Sequence, residues 1–286
     1  MTAAAPSGAS AASAAGTVAA GAVLRGPTFG ERVREWLPAA VLFVGALAAW
    51  EVIVRVFQIK QFILPSPVAI ATAWWTYLPE LSSAAAYTLV EVVGGLLIGV
   101  TAGILAGAVT ARYAAVREAA LPFAVAANSI PIVAFAPIFN IWFGLDTQVS
   151  KMMIAAVLCF FPVMINTVRG LLSAPAPALE LMRSYAASDR ETFLRVRVPS
   201  AVPYVFTALR VSATLATIGA VIGEYFGAPK VSLGQYIVTY SSYLNFERSW
   251  GAIVFAAAMG IGLYVLVVLV ERLVAPWAAD RSGAPA

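Results

Sequence analysis

Six stretches of this chain are apolar and about as long as a bilayer is thick. They lie near residues 37–57, 88–110, 121–143, 150–170, 202–225 and 250–273. About 20 residues of helix cover the roughly 30 Å of hydrocarbon. Inside hydrocarbon every backbone N–H and C=O must find its partner within the protein, which leaves only helices or a closed barrel. Strict period-two alternation is missing from all six stretches, so the expectation is an all-α membrane protein with six transmembrane helices. Charge agrees: only 11% of the residues are charged, against about 25% in soluble domains.

Positive charge sets the expected orientation. With the N-terminus in the cytoplasm, the inner segments and tails carry twelve arginines, and Arg210 lies just inside the fifth stretch. The other side and its borders keep five cations: Arg55, Lys60, Lys151, Lys230 and Arg248. Both termini are therefore expected in the cytoplasm and the chain in the cytoplasmic (inner) membrane, crossing it several times. Residues 1–30, rich in Ala, Ser and Gly, read as a flexible tail. A secretory signal would place basic residues before an apolar core, and here the first basic residue is Arg25. Residues 31–277 read as the membrane domain and 278–286 as a second short tail.

Several chemistries are excluded. There is no histidine and one cysteine, Cys159, in an apolar run, so an intrachain disulfide or a His/Cys metal site is not expected. Cys159 reads as a small buried hydrophobe. No basic run with stacking aromatics points to nucleic acid. Lys60, Lys151 and Lys230 are the only lysines and none follows a glycine, so the chain has no phosphate-binding G-x-x-x-x-G-K-[ST] loop. In the second stretch Gly95, Gly99, Gly103 and Gly107 recur every four residues. Such a stripe lies on one helical face and suits close packing of helices in lipid.

One stretch breaks the pattern. In ELMRSYAASDRETFLRVR, residues 180–197, seven of eighteen residues are charged. Ser188 and Glu191 form an S-x-x-E capping box, so a helix is expected to start near residue 189. Pro199 is expected to stop it. Pro175 and Pro177 precede or open a second short helix running towards Ala186. Two short helices joined near Ala186–Ala187 are thus expected to stand out from the membrane. Phe193 and Leu194 place apolar side chains there with no membrane need for them, which points to a partner surface.

The spacing from Glu180 to Ala186, Val196, Val198 and Pro199 resembles the EAA loop of ATP-binding-cassette importer permeases, E-A-A-x3-G-x9-I-x-L-P. Leu181 and Met182 stand where that motif has alanines, and Ala186 stands at its glycine. Alanine resists positive φ, so the turn is expected to be helical or slightly shifted. Three further segments resemble the nitrate, sulfonate and taurine branch of these permeases: FILPSP at 62–67, SIPIVAFAPIFNIWFG at 129–144 and GEYFGAPKVSLGQYI at 223–237. The resemblance covers roughly residues 37–277.

This resemblance implies a type I importer permease fold. The loop 172–200 would dock in a groove of a separate cytoplasmic ATPase, with Ser188 to Arg197 as coupling helix. Glu180 would brace the loop, Phe193 would be its apolar anchor, and Arg183, Arg190 and Arg195 would meet acidic groups. ATP and Mg would be bound by that partner, with no cofactor and no catalysis in this chain. An extracytoplasmic binding protein would deliver the solute, and a permease homodimer in the lipid bilayer would pass it. The branch includes carriers of nitrate, sulfonates and taurine, and of vitamin-related compounds such as a thiamine pyrimidine precursor and riboflavin. Glu91, where sulfonate-type members would carry arginine, leans the reading towards the vitamin-precursor group.

Residues for a translocation pathway are sought first in the third stretch, where Asn128, Ser129 and Asn140 flank Pro131 and Pro137. Irregular backbone at membrane depth is tolerated where it lines a cavity or is buried in protein. Thr214, Thr217 and Glu224 of the fifth stretch are added. Glu224 matches the family's acidic position and is assigned gating or contact with the binding protein. Glu91 and Glu224 are both expected within about a turn of the outer boundary, where snorkelling or an arginine partner would satisfy them. Arg210 is read as neutralising a partner or facing a vestibule. A secondary transporter is the alternative from another class. It should show two related halves with broken helices, and no internal repeat is found.

Overall fold

The computed structural model describes residues 29–279, apart from Asn128 and Lys230. These residues form helices joined by turns. The first helix, α1 (Phe29–Val56), begins at the edge of the expected N-terminal tail. The rest of that tail and residues 280–286 lie outside the described residues. From Ile53 onward the chain forms one packed unit. It continues with α2 (Pro67–Thr76), α3 (Leu78–Arg112), α4 (Ala114–Ala127), a 3₁₀ turn (Ile132–Phe135) and α5 (Ala136–Phe143). Then follow α6 (Gln148–Leu172), α7 (Ala176–Ser184), α8 (Asp189–Thr192), a π turn (Phe193–Arg197), α9 (Val198–Tyr225), α10 (Leu233–Ser242), α11 (Phe246–Val274) and α12 (Pro276–Ala279).

Five helical segments are long and apolar enough to cross a membrane: those ending at Val56, Arg112, Leu172, Tyr225 and Val274. The expected third span, 121–143, is not one helix. It divides into α4, the 3₁₀ turn and α5. Two prolines explain the division: Pro131 and Pro137 supply no N–H, and the chain between them closes tighter i→i+3 bonds, Ala134 N to Pro131 O at 2.9 Å among them. At 14 and 8 residues, α4 and α5 extend only about 21 and 12 Å, each short of the hydrocarbon thickness. Gly144 ends α5 at φ 96°, a conformation a side chain would strain.

The packed interior is made of small residues. Ala155, Cys159, Ala216 and Ala220 meet Val92 in one core cluster, while Leu97, Leu105, Val211 and Leu273 are exposed. Lipid is as apolar as leucine, so large side chains gain little by leaving it, and helices associate through close backbone contact instead. The glycine stripe carries this out, lying directly on α6. A Cβ at Gly95, Gly99, Gly103 or Gly107 would fall 2.7, 2.4, 2.8 or 2.9 Å from the carbonyl oxygens of Met152, Ala156, Phe160 and Met164. On its other sides α6 receives α9, where Gly219 fits against Ala155. Cys159 is buried there and its thiol reaches Ser212 O at 3.3 Å.

The charged loop has its two short helices, α7 and α8, but two local expectations are corrected. Ala186 takes φ 51°, so the alanine is held in the left-handed conformation that the family's glycine would adopt freely. The turn is closed by Ala186 N to Arg183 O (2.9 Å) and Ala187 N to Met182 O (3.0 Å). Pro199, further on, does not stop the helix. The backbone widens into the π turn at Phe193–Arg197, with Val198 N bonded back to Phe193 O, and runs on as α9. A wider turn moves aside the carbonyl that a proline ring would otherwise strike, and the proline falls in the first turn of α9.

Two stability predictions follow from these contacts. Gly99→Ala forces a methyl onto the Ala156 carbonyl and should lower stability by about 1–3 kcal/mol. Gly262→Ala, with no heavy atom within 4 Å, should leave it unchanged or slightly raised; thermal unfolding in detergent compares the two. Ala186→Gly relieves a left-handed alanine and should stabilise the turn by roughly 1 kcal/mol, read as slower amide exchange over residues 183–188. Faster exchange would contradict the assigned backbone.

Candidate functional site

Two regions of the fold carry the polar chemistry, one exposed and one buried. The exposed one is the loop 172–200. Ser188 caps α8: its Oγ accepts from Glu191 N at 3.3 Å, and Glu191 Oε2 accepts from Ser188 N and from Ser188 Oγ, both at 2.9 Å. The helix start is thus pinned from both directions, as the sequence predicts. Beyond it Phe193 is 36% exposed, Leu194 53%, Leu181 55% and Tyr185 74%. Arg183, Arg190 and Arg195 are exposed among them, while Val198 and Pro199 are half-buried at the root of α9. Asp189 lies 3.7 Å from Arg112 at the end of α3, a solvent-facing pair that contributes little. Glu180 is exposed, and among the described residues nothing pairs with it.

The buried region lies at the opposite end of α9. Glu224 has no exposed surface. Its Oε1 accepts from Thr88 Oγ1 of α3 at 2.6 Å, and its Oε2 accepts from the Gly234 amide of α10 at 2.7 Å. Glu91 and Lys151, also fully buried, face the same carboxylate from α3 and α6. Lys151 Nζ donates to Leu145 O, and the Glu91 carboxyl lies against that of Glu224.

Snorkelling and an arginine partner are thereby replaced for both glutamates by burial against each other and a lysine. The reason is legible on α3: Glu91 precedes Gly95 by four residues, so it shares the face that the glycine stripe presses onto α6. Lys151, read from the sequence as a border cation, escaped notice for want of any neighbour in the chain that marks it as buried. Thr88, one turn before Glu91, was missed too.

The expected pathway residues are dispersed. Asn128 lies outside the described residues. Ser129 and Pro131 are exposed in the break between α4 and α5. Asn140 is buried, its Nδ2 3.5 Å from Gly223 O, with no partner on Oδ1 among the described residues. It therefore stands near Glu224. Thr214 and Thr217 sit about 10–15 Å back along α9, beside an open apolar groove of about 460 Å³ shared with Ile218, Val221, Ile253 and Gly260. Their hydroxyls bond Val211 O and Ala213 O of their own helix. Arg210 does neutralise a partner, its Nε donating to Glu271 Oε2 of α11 at 2.8 Å.

The family described as the binding-protein-dependent transport system inner membrane component matches residues 99–280. The formylaminopyrimidine transport permease protein ThiX of Halalkalibacterium halodurans is 30% identical over 86% of this chain and 98% of its own. The riboflavin transport system permease protein RibX of Chloroflexus aurantiacus is 32% identical over 86% and 92%. The putative aliphatic sulfonates transport permease protein SsuC of Bacillus subtilis is 27% identical over 89% and 92%. Among solved structures, a chain of the inward-facing MetNI methionine ABC transporter aligns with TM-score 0.53 and 19% identity over 70% of this chain and 96% of that one, which is a likeness of fold. With the family matched across most of its length and relatives aligned nearly end to end, this chain belongs to the inner-membrane permeases of binding-protein-dependent, ATP-binding-cassette importers.

Proposed function

We propose that this permease is the membrane half of an importer for a small heteroaromatic solute of the vitamin-precursor kind, driven by a separate cytoplasmic ATPase that holds ATP and Mg. The loop 172–200 is the docking element. The observation that carries the reading is a set of apolar side chains left exposed on either side of the capped α8: Leu181 and Tyr185 at the end of α7, and Phe193 and Leu194 in the π turn. In water such a set is costly unless a partner covers it. Phe193 is its anchor, and the flanking arginines orient the partner more than they hold it. Glu180 finds its counterpart on that partner.

The loop then faces the cytoplasm, as the arginine bias requires, and both termini lie on that side. A second copy of the chain completes the translocation unit. A binding protein delivers the solute to the opposite face, where Asn140 and Glu224 lie. Glu224 is buried and acts there on the fold rather than by touching that protein. Support for the solute class comes from the two relatives at 30% identity and above, one named for formylaminopyrimidine and the other for riboflavin transport. A sulfonate importer is the second reading, favoured by the SsuC relative.

Two measurements test this. In the assembled transporter, Phe193→Ala or Glu180→Lys should lower uptake by roughly tenfold or more while the ATPase keeps hydrolysing ATP; undiminished uptake would remove the docking role. Calorimetry on the cognate binding protein should give tight binding of a hydroxymethylpyrimidine or riboflavin and none of taurine or nitrate. Tight sulfonate binding with no vitamin-like ligand would replace the first solute reading with the second.

A further inference from the structure

Helix α10 is short, about 15 Å, and reaches the bundle through the irregular stretch after Tyr225. Its hold on the bundle is partly apolar: Leu233 and Tyr236 pack on Leu81, Ala84 and Ala85 of α3 and on Ala252 of α11. Tyr236 also donates its hydroxyl to Glu80 Oε2 at 3.2 Å, and burial, ahead of that carboxylate, pushes its phenol pKa up. The rest of the hold is a dry polar network. Thr88 Oγ1 donates to Glu224 Oε1 and accepts from Leu233 N at 3.1 Å. Gly234 N donates to Glu224 Oε2, and Gln235 Nε2 donates to Glu224 O at 3.0 Å. A Cβ on Gly234 would lie 2.5 Å from Glu224 Cβ and 2.6 Å from Val221 O, so α10 rests on the backbone of α9.

The geometry points to a latch: Thr88, Glu224 and the amides of Leu233 and Gly234 keep this face of the bundle shut against water, and the face opens when they part. Hydrogen bonds to a buried carboxylate are strong while complete, and leaving them half-made is costly. Such a network has two useful conditions, fully made and dry or fully parted and wet. Lys151 of α6 and Glu91 of α3 face the same carboxylate, so water admitted on parting reaches them as well.

The latch also lies on the helix that leaves the loop. From Asp189 to Tyr225 the helical run is unbroken over 37 residues, about 55 Å. Phe193 stands near one end and Glu224 next to the other. A tilt imposed at the loop moves the carboxylate relative to Thr88 on α3, with the π turn at Phe193–Arg197 the one irregular turn between them. This last step rests on the ATP-driven reading above; the latch itself does not.

The test uses the full transporter in right-side-out vesicles. Cys159→Ala removes the native thiol, and Ala84→Cys, buried under α10, reports access of a membrane-impermeant maleimide. The parent should label slowly at rest and faster when ATP is trapped on the ATPase. Thr88→Val should label roughly tenfold or more faster at rest without nucleotide, and Thr88→Ser, which keeps the hydroxyl, should return to the parent rate. Glu224→Gln keeps the shape but loses an acceptor and should also label fast. Parent-rate labelling in both Thr88→Val and Glu224→Gln overturns the latch, as does fast labelling in Thr88→Ser. If the variants open but nucleotide never changes the parent, the latch stands and the ATP-driven reading falls.

Discussion

A helix in lipid gains nothing by hiding leucines from a solvent that is itself hydrocarbon, so this bundle has to be held by something other than the hydrophobic effect. What holds it is the approach of backbones. Four glycines on α3 bring it against the carbonyls of α6, at distances that leave no room for a methyl group. Alanines and further glycines carry the same contact on to α9. Large side chains are turned outward to the lipid. The buried charges on α3, α6 and α9 are placed by this close packing, because it decides which faces of those helices are dry.

Charge placed on those dry faces becomes informative. Glu91 lies on the glycine face of α3, Lys151 and Glu224 on the faces of α6 and α9 that meet it, and Arg210 is held by Glu271 further along α9. Each would be costly alone in hydrocarbon. Together they tie elements that small-residue packing brings close but does not lock. The loop at the other end of α9 shows the opposite pattern, with apolar side chains exposed in water among arginines. A single helical run joins the two, so a pull on the wet end reaches the dry end through a stiff element.

Much of this was legible beforehand. The apolar runs are long and periodic signals, and five of the six became spanning helices: those expected at 37–57, 150–170 and 250–273 keep their bounds to within about four residues, while the helical segments over 88–110 and 202–225 begin well before the apolar run, at Leu78 and Asp189. The capping box and the glycine stripe carry their mechanisms in their spacing, and both stand as read. What escaped the sequence was local override. Pro131 and Pro137 broke a run whose hydropathy alone reads as continuous. Pro199 was absorbed by a π turn, a choice that depends on how α9 leaves the loop. Ala186 is held at positive φ by the turn around it, against its own preference. Lys151 looks like a border cation until α3 and α9 close over it, and nothing near it in the chain says that they will.

The exposed apolar side chains on this loop are where an ATP-hydrolysing subunit is proposed to take hold. The most direct measurement places a photoreactive residue at Leu194 in the complete transporter within native membranes and identifies what it joins on illumination. Docking at this loop predicts an adduct with the ATPase, formed on the cytoplasmic side and lost when that subunit is absent. An adduct formed only with lipid, or reached only by reagents from outside the cell, would contradict it.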